Sequence, residues 1–279
     1  MAFLQRYAEK FESVDASQSY TFPLYAYEYE PSQALRPRIA VAVGADYGLD
    51  LAGAARWPKD IAAAAVRFEM VGSSTPGALD TDIDSMMSTL LRIGLGKLFT
   101  IDNAGTRRWA YAKLDAVPQV TVRIQEWMRQ PVSIHFTRLS DWFASSTTTA
   151  TRTVTASPET FTITNPGNAP VYRAVFRFRA NAAAGFTNPQ LENLTNGYTF
   201  STTRDSASAN SEVRVDCERQ AVEYSNDDGA TYADDYTNFS QLATQAGMML
   251  LDPGDNSMRL TCGGTPNYDF VHMFYAPYH

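Results

Sequence analysis

Apolar and polar positions alternate with a period of two along most of the chain, the pattern of half-buried strands. Val66, Phe68 and Met70 alternate with Arg67 and Glu69. Phe22, Leu24 and Ala26 alternate with Tyr25, Tyr27 and Tyr29, and Pro23 marks an edge strand or a strand start. EPSQALRP reads as a turn or loop, RIAVAV as a short buried strand, and DYGLDLAG as a further turn and strand. KLFTI, RRWAYAKL, VTVRIQEWM and PVSIHFTRL then follow closely between residues 97 and 139, and IDNAGT reads as the hairpin turn joining the first two.

Two segments depart from this pattern. Phe3, Tyr7 and Phe11 recur at helical spacing, which predicts a short amphipathic arm over the first dozen residues. The stretch LDTDIDSMMSTLLRIGLG, from Leu79, predicts the one substantial helix. Ile83, Met87, Leu90, Leu91 and Gly94 share a face, Thr81 and Asp84 fit a capping box, and Asp80, Asp82 and Asp84 suit the positive end of the dipole. Arg92 falls in the last turn, and Gly94 or Gly96 ends the helix in a left-handed cap. A lone helix among so many strands must cover a sheet or a barrel mouth. Ile83, Met87, Leu90 and Leu91 are therefore the candidate assembly residues, facing either their own sheet or the next subunit.

The tract ASSTTTATR, residues 144–152, is small and polar without apolar periodicity and predicts a linker. Beyond it FTIT, VYRAVFRFRA, YTFST, SEVRVDC, AVEY, MMLLD, SMRLTC and DFVHMFYA are separated by Gly-, Pro- and Asn-rich turns. Eight or more short strands at this spacing predict a β-sandwich. The expected fold is mainly β with one main α-helix. A β-sandwich or barrel-like domain over 1–143 carries the helix, and a β-sandwich over 153–279 follows.

Composition supports two units. At 279 residues, 44% hydrophobic and 19% charged, the chain is globular and long enough for two cores. Residues 1–150 hold 15 basic and 16 acidic side chains, and 151–279 hold 8 and 14, with no Lys or Trp in the second half. A net charge of −7 argues against gripping nucleic acid through a basic surface. No stretch approaches the about 20 apolar residues that cross a bilayer. Charges in MAFLQRYAEKFESVD occupy the place of a signal peptide's apolar core, so synthesis and folding in a reducing cytoplasm are expected, where the sequons at Asn193 and Asn238 have no meaning. Cys217 and Cys262 each end an alternating run on its apolar side; they read as buried free thiols, with one bridge open to them if their strands are neighbours.

Candidate chemistry is sparse. His135, His272 and His279 lie apart from one another and from the cysteines, and no nucleophile elbow, zinc helix or phosphate loop occurs. Asp227, Asp228, Asp234 and Asp235 lack the alternating ligands and closing Glu of a calcium loop. No catalytic residue, metal or cofactor is expected. A carbohydrate-binding accessory protein for host-surface recognition is the alternative function. Without Trp its platforms would be drawn from Tyr172, Tyr198, Tyr224, Tyr232 and Tyr268, with Tyr198 and Tyr232 the stacking candidates.

Taken in order, several stretches resemble the distal tail protein (Dit) family of long, non-contractile-tailed bacteriophages. In the first half these are YGLDL, a strand closing in Gly72, the helix, KLFTIDNAGTRRWAYAKL and VSIHFTRLSDWF. In the second half NPGNAPVYRAVFRF, LTNGYTFST, VRVDCERQAVEYSNDDG and LLDPGDNSMRL resemble its galectin-like C-terminal domain. The resemblance implies a homo-hexameric ring at the tail tip, built by the N-terminal domains. That ring joins the tail tube protein to the tail hub and to receptor-binding or fibre proteins, with the C-terminal domains as adaptors. The location implied is the virion, assembled in the host cytoplasm without membrane insertion. Six copies would carry about −42, and an acidic lumen would let DNA pass without retaining it.

Overall fold

The computed structural model of the chain describes residues 6–23, 27–29, 39–41, 48–50, 62–71, 76–102, 104–115, 119–120, 129–182, 185–245 and 247–278. The chain divides into two units, Met1–Trp142 and Phe143–His279.

The first unit holds β1 (Arg6–Ser13), β2 (Ser19–Thr21), β3 (Tyr27–Tyr29), β4 (Ile39–Val41), β5 (Gly48–Asp50), β6 (Ala62–Val71), α1 (Pro76–Ile93), β7 (Leu95–Asp102), β8 (Arg107–Leu114), β9 (Gln119–Val120) and β10 (Arg129–Arg138). Hydrogen-bonded neighbours run β8-β7-β1-β3-β6-β10, and β10 pairs back onto β8. These antiparallel strands thus close into a barrel, which removes the open edges a flat sheet would leave. Alternate positions supply its buried side chains: Val66 and Phe68, Leu98, Ala110 and Ala112, and Val132, Ile134 and Phe136. Phe11 joins them, its ring centroid 4.8 Å from that of Phe136. The β7–β8 hairpin turns as IDNAGT predicts. Asp102 accepts hydrogen bonds on its carboxylate from the Ala104 and Thr106 backbone at 2.9 and 2.8 Å, and Gly105 takes φ +80°.

The helix packs on β1, β2 and β6. It stops at Gly94, whose φ of +64° is the left-handed cap the sequence predicts. Gly96 follows because the chain has no room there: an added Cβ would lie 2.8 Å from both Ile93 Cγ2 and the Phe11 ring. The helix starts at Pro76, five residues before Thr81, so the capping box at Thr81 does not form and the three aspartates lie past the first turn. A proline at the first helical position has its φ preset and no N–H to leave unpaired.

The predicted N-terminal arm is a strand, not a helix. Between Ala8 and Lys10 the β1–β7 register shifts by a bulge, so Ala8 lies opposite Thr100 and Phe11 opposite Leu98. The bulge therefore puts Tyr7, half-buried, and Phe11, buried, on different faces, so their spacing of four marks no shared helical face. Phe3 and the segment VTVRIQEWM beyond Val120 lie outside the described residues.

The second unit is a sandwich. Its strands are β11 (Trp142–Val154), β12 (Glu159–Asn165), β13 (Val175–Ala180), β14 (Thr187–Asn193), β15 (Thr199–Thr202), β16 (Glu212–Asp216), β17 (Ala221–Ser225), β18 (Ala233–Asp234), β19 (Phe239–Gln241), β20 (Gly254–Gly263) and β21 (Tyr268–Tyr278). One sheet runs β18-β17-β16-β13-β21-β11 and the other β12-β20-β14-β15-β19. Phe176 and Phe178 of the first sheet meet Phe200 of the second at 5.8 and 6.2 Å, and Phe161 meets Phe270 at 5.5 Å. These rings, with Val213, Val215, Leu191, Met258 and Leu260, form the core.

The Ser/Thr tract at 144–152, expected as a linker, lies inside β11. Nearly all of it is exposed, so no apolar alternation betrays it. Its β-branched threonines favour extended backbone, and the hydrogen-bonded ladder holds them there without burial. MMLLD, expected as a strand, is instead a buried loop whose one bridge pairs Leu251 with Val171. Strand β14, in a stretch the sequence pattern left unread, takes the place between β20 and β15.

Candidate assembly surfaces

The helix carries two apolar rows with different fates. Leu79, Met86, Leu90 and Ile93 are buried against their own unit. Ile83, Met87 and Leu91, spaced by four, form a ridge on the outer flank: the first two are half-buried and Leu91 is 54% exposed. Leu95, 49% exposed, follows just past the helix. Of the four candidate assembly residues, Leu90 therefore belongs to the core and the other three share the ridge. Sequence periodicity merged the rows because both fall within one broad apolar arc.

Neither stacking candidate presents a free ring. Tyr198 packs half-buried against the sandwich core. Tyr232 donates from its hydroxyl to Glu212 Oε1 at 2.5 Å and lies 5.6 Å from the Arg214 guanidinium. Burial, then the hydrogen bond to Glu212, pushes its pKa up to about 12. Tyr224 and Tyr268 are buried, while Tyr172 is exposed.

The titratable groups serve the fold. Asp227 accepts from Ser225 Oγ at 2.6 Å and from the Thr231 backbone at 2.9 Å, which holds its pKa down to about 2. Its oxygens are thus satisfied by its own turn. Among the described residues no group of three or more His, Cys, Asp or Glu side chains is placed to hold a metal ion. Cys217 and Cys262 are free thiols, and burial pushes the Cys217 pKa up. No described helix is long and apolar enough to cross a membrane. Asp235, buried, pairs with Arg204, which lies 4.4 Å from the Tyr224 ring. Its Oδ1 also accepts from Asn238 Nδ2 at 2.7 Å. In the sequence Asp235 reads only as one of four aspartates without a calcium loop's spacing, and nothing marks Arg204 as the partner 31 residues away.

His135 is half-buried, with Nε2 3.2 Å from Ser133 Oγ. His272 faces the sandwich core, 8% exposed, between the rings of Phe270 and Phe274. Burial lowers its pKa below the ordinary 6.5. The unfolded chain therefore binds this proton more readily than the folded one. The stability that neutral His272 supports is complete above about pH 6.5 and is lost as pH falls from there through the lowered folded value. Melting curves at stepped pH should show His272→Phe losing less stability than the parent chain on acidification. Equal acid slopes for the two would refute the assignment.

No protein-family model matches the chain, and no curated protein matches it by sequence. Solved structures do. SPP1 Dit (gp 19.1), described as a paradigm of the hub adsorption apparatus in phages infecting Gram-positive hosts, superposes with TM-score 0.60 at 12% identity, over 97% of each chain. A chain of the phage P2 baseplate in its activated conformation aligns over 98% of this chain and 99% of its own, at 8% identity and TM-score 0.47. Across nearly its whole length, this chain has the fold of a phage distal tail protein.

Proposed function

We propose that the chain is a structural, non-catalytic component of the tail tip of a long-tailed bacteriophage. It forms a six-fold ring that joins the tail tube protein to the tail hub and to receptor-binding or fibre proteins. The first unit builds the ring and the second serves as adaptor, within the virion. The observation that carries this reading is the likeness to SPP1 Dit over 97% of both chains, which spans both units rather than one common sandwich. The outer ridge of Ile83, Met87 and Leu91 supports it, because an apolar row that its own unit leaves partly uncovered suits a contact between copies. The tied rings of Tyr198 and Tyr232 offer no support to sugar binding.

Light scattering with negative-stain microscopy tests the proposal. At concentrations on the order of 10 μM, alone or with the hub protein of the same phage, six-fold rings are expected through mass action. A monomer under both conditions would overturn it.

A further inference from the structure

We propose that β12 is a self-pairing edge, through which the sandwich units of two copies join antiparallel about a two-fold axis at Thr162. Among the described residues β12 pairs with β20 on one side and with no strand on the other. Two other terminal strands, β18 and β19, are cut to two and three residues, the usual protection of an edge, and β11 is paired on both sides. β12 is seven residues long and carries no proline, lysine or bulge. Within it, TFTIT combines high β-propensity with no charge, the composition that invites strand addition.

Its pattern names the occupant. Thr160, Thr162 and Thr164 are exposed on one face, and Phe161 and Ile163 point to the other. An antiparallel pair keeps faces matched only in registers that set a residue opposite its own copy or an even step away. Centring on Thr162 gives the greatest overlap. It sets Thr160 against the partner's Thr164, Thr162 against the partner's Thr162, and Phe161 against the partner's Ile163. Thr–Thr and aromatic–β-branched pairs are the favoured cross-strand combinations. No like charges meet: Glu159 falls opposite Asn165 and is already paired with Arg152, whose guanidinium lies 5.1 Å from the Phe161 ring. A strand so nearly palindromic fits a second copy of itself. The pairing uses only the second unit and does not depend on ring formation by the first.

Cysteine cross-linking of the full chain tests this, in a Cys262→Ser background where the one native thiol left, Cys217, is buried. Opposed residues have Cα atoms about 4.5–5.5 Å apart, within the roughly 4.4–6.8 Å a disulfide spans. Under mild oxidation Thr162→Cys should cross-link to itself. Thr160→Cys should not, because its copies lie four residues apart, about 13 Å, but it should cross-link with Thr164→Cys when the two are mixed. Thr162→Lys, exposed and so tolerated by the fold, should halve the sedimenting mass by abolishing this pairing, without lowering the melting temperature. Thr162→Cys cross-linking no better than Thr160→Cys would overturn the proposal, as would Thr162→Lys sedimenting like the parent. A strand from a different protein on this edge would give the first of those results.

Discussion

Leu90→Asp is expected to unfold the first unit, whereas its neighbour Leu91→Asp is expected to leave that unit folded and block assembly. Leu90 is fully buried, on the helix face that packs against its own unit. Removing a buried leucine costs about 2–5 kcal/mol, and placing a carboxylate in the space adds the penalty of an unpaired buried charge. A loss of about 5 kcal/mol or more is comparable to the whole stability of a typical domain. Leu91 is more than half exposed, so an aspartate there stays hydrated and costs the monomer little. In a ring it would lie desolvated in a contact built for an apolar row. Circular-dichroism melts and native mass read the two effects separately. If Leu90→Asp melts like the parent, the packing of α1 described above is wrong. If Leu91→Asp still forms rings, the ridge is not the contact between copies.

The difference between these adjacent residues marks the limit of what the sequence made legible. Alternation along β6 and the glycine after Ile93 could be read directly, because each reflects one backbone constraint acting locally. The second row on the helix could not, since a period of 3.6 shows which residues share an arc but not how much of that arc its own unit covers. β1 misled for a related reason. Its bulge depends on pairing with β7, nearly 90 residues away, and such pairings leave no local trace. The middle of β11 is exposed on both faces and so carries no apolar alternation. Closure of the barrel through β8 and β10, and the free edge at β12, are likewise properties of pairing. What surfaced early was the order of turns across the whole chain, and that order pointed to the fold the superposition on SPP1 Dit supports.

Asn256→Ala is expected to cost the second unit about 2–4 kcal/mol, because several polar groups, some buried and some half-buried, each lose a hydrogen-bond partner at about 1 kcal/mol. Asn256 is fully buried. Its Nδ2 donates to the carbonyls of Asp252 and Gly254 at 2.8 and 3.1 Å. Its Oδ1 accepts from the Asp252 backbone at 2.8 Å and from Asn193 Nδ2 at 3.0 Å. Asn193, equally buried, donates in turn to the Leu250 carbonyl at 2.8 Å. Together the two amides hold the irregular segment that carries Met248, Met249 and Leu251 into the core, doing for a loop what a ladder does for a strand. Alanine at 256 would take one partner from the half-buried Asp252 N–H and one from Asn193, whose amide lies out of reach of water. The melting temperature should fall by roughly 10 °C or more. Asn196→Ala is the control. Asn196 also bonds the Leu250 carbonyl, at 3.1 Å, but is only half-buried, so water can take its place at a cost of about 1 kcal/mol. Equal losses for the two substitutions would mean that burial of the network does not set its contribution. Its centre would then lie elsewhere than Asn256.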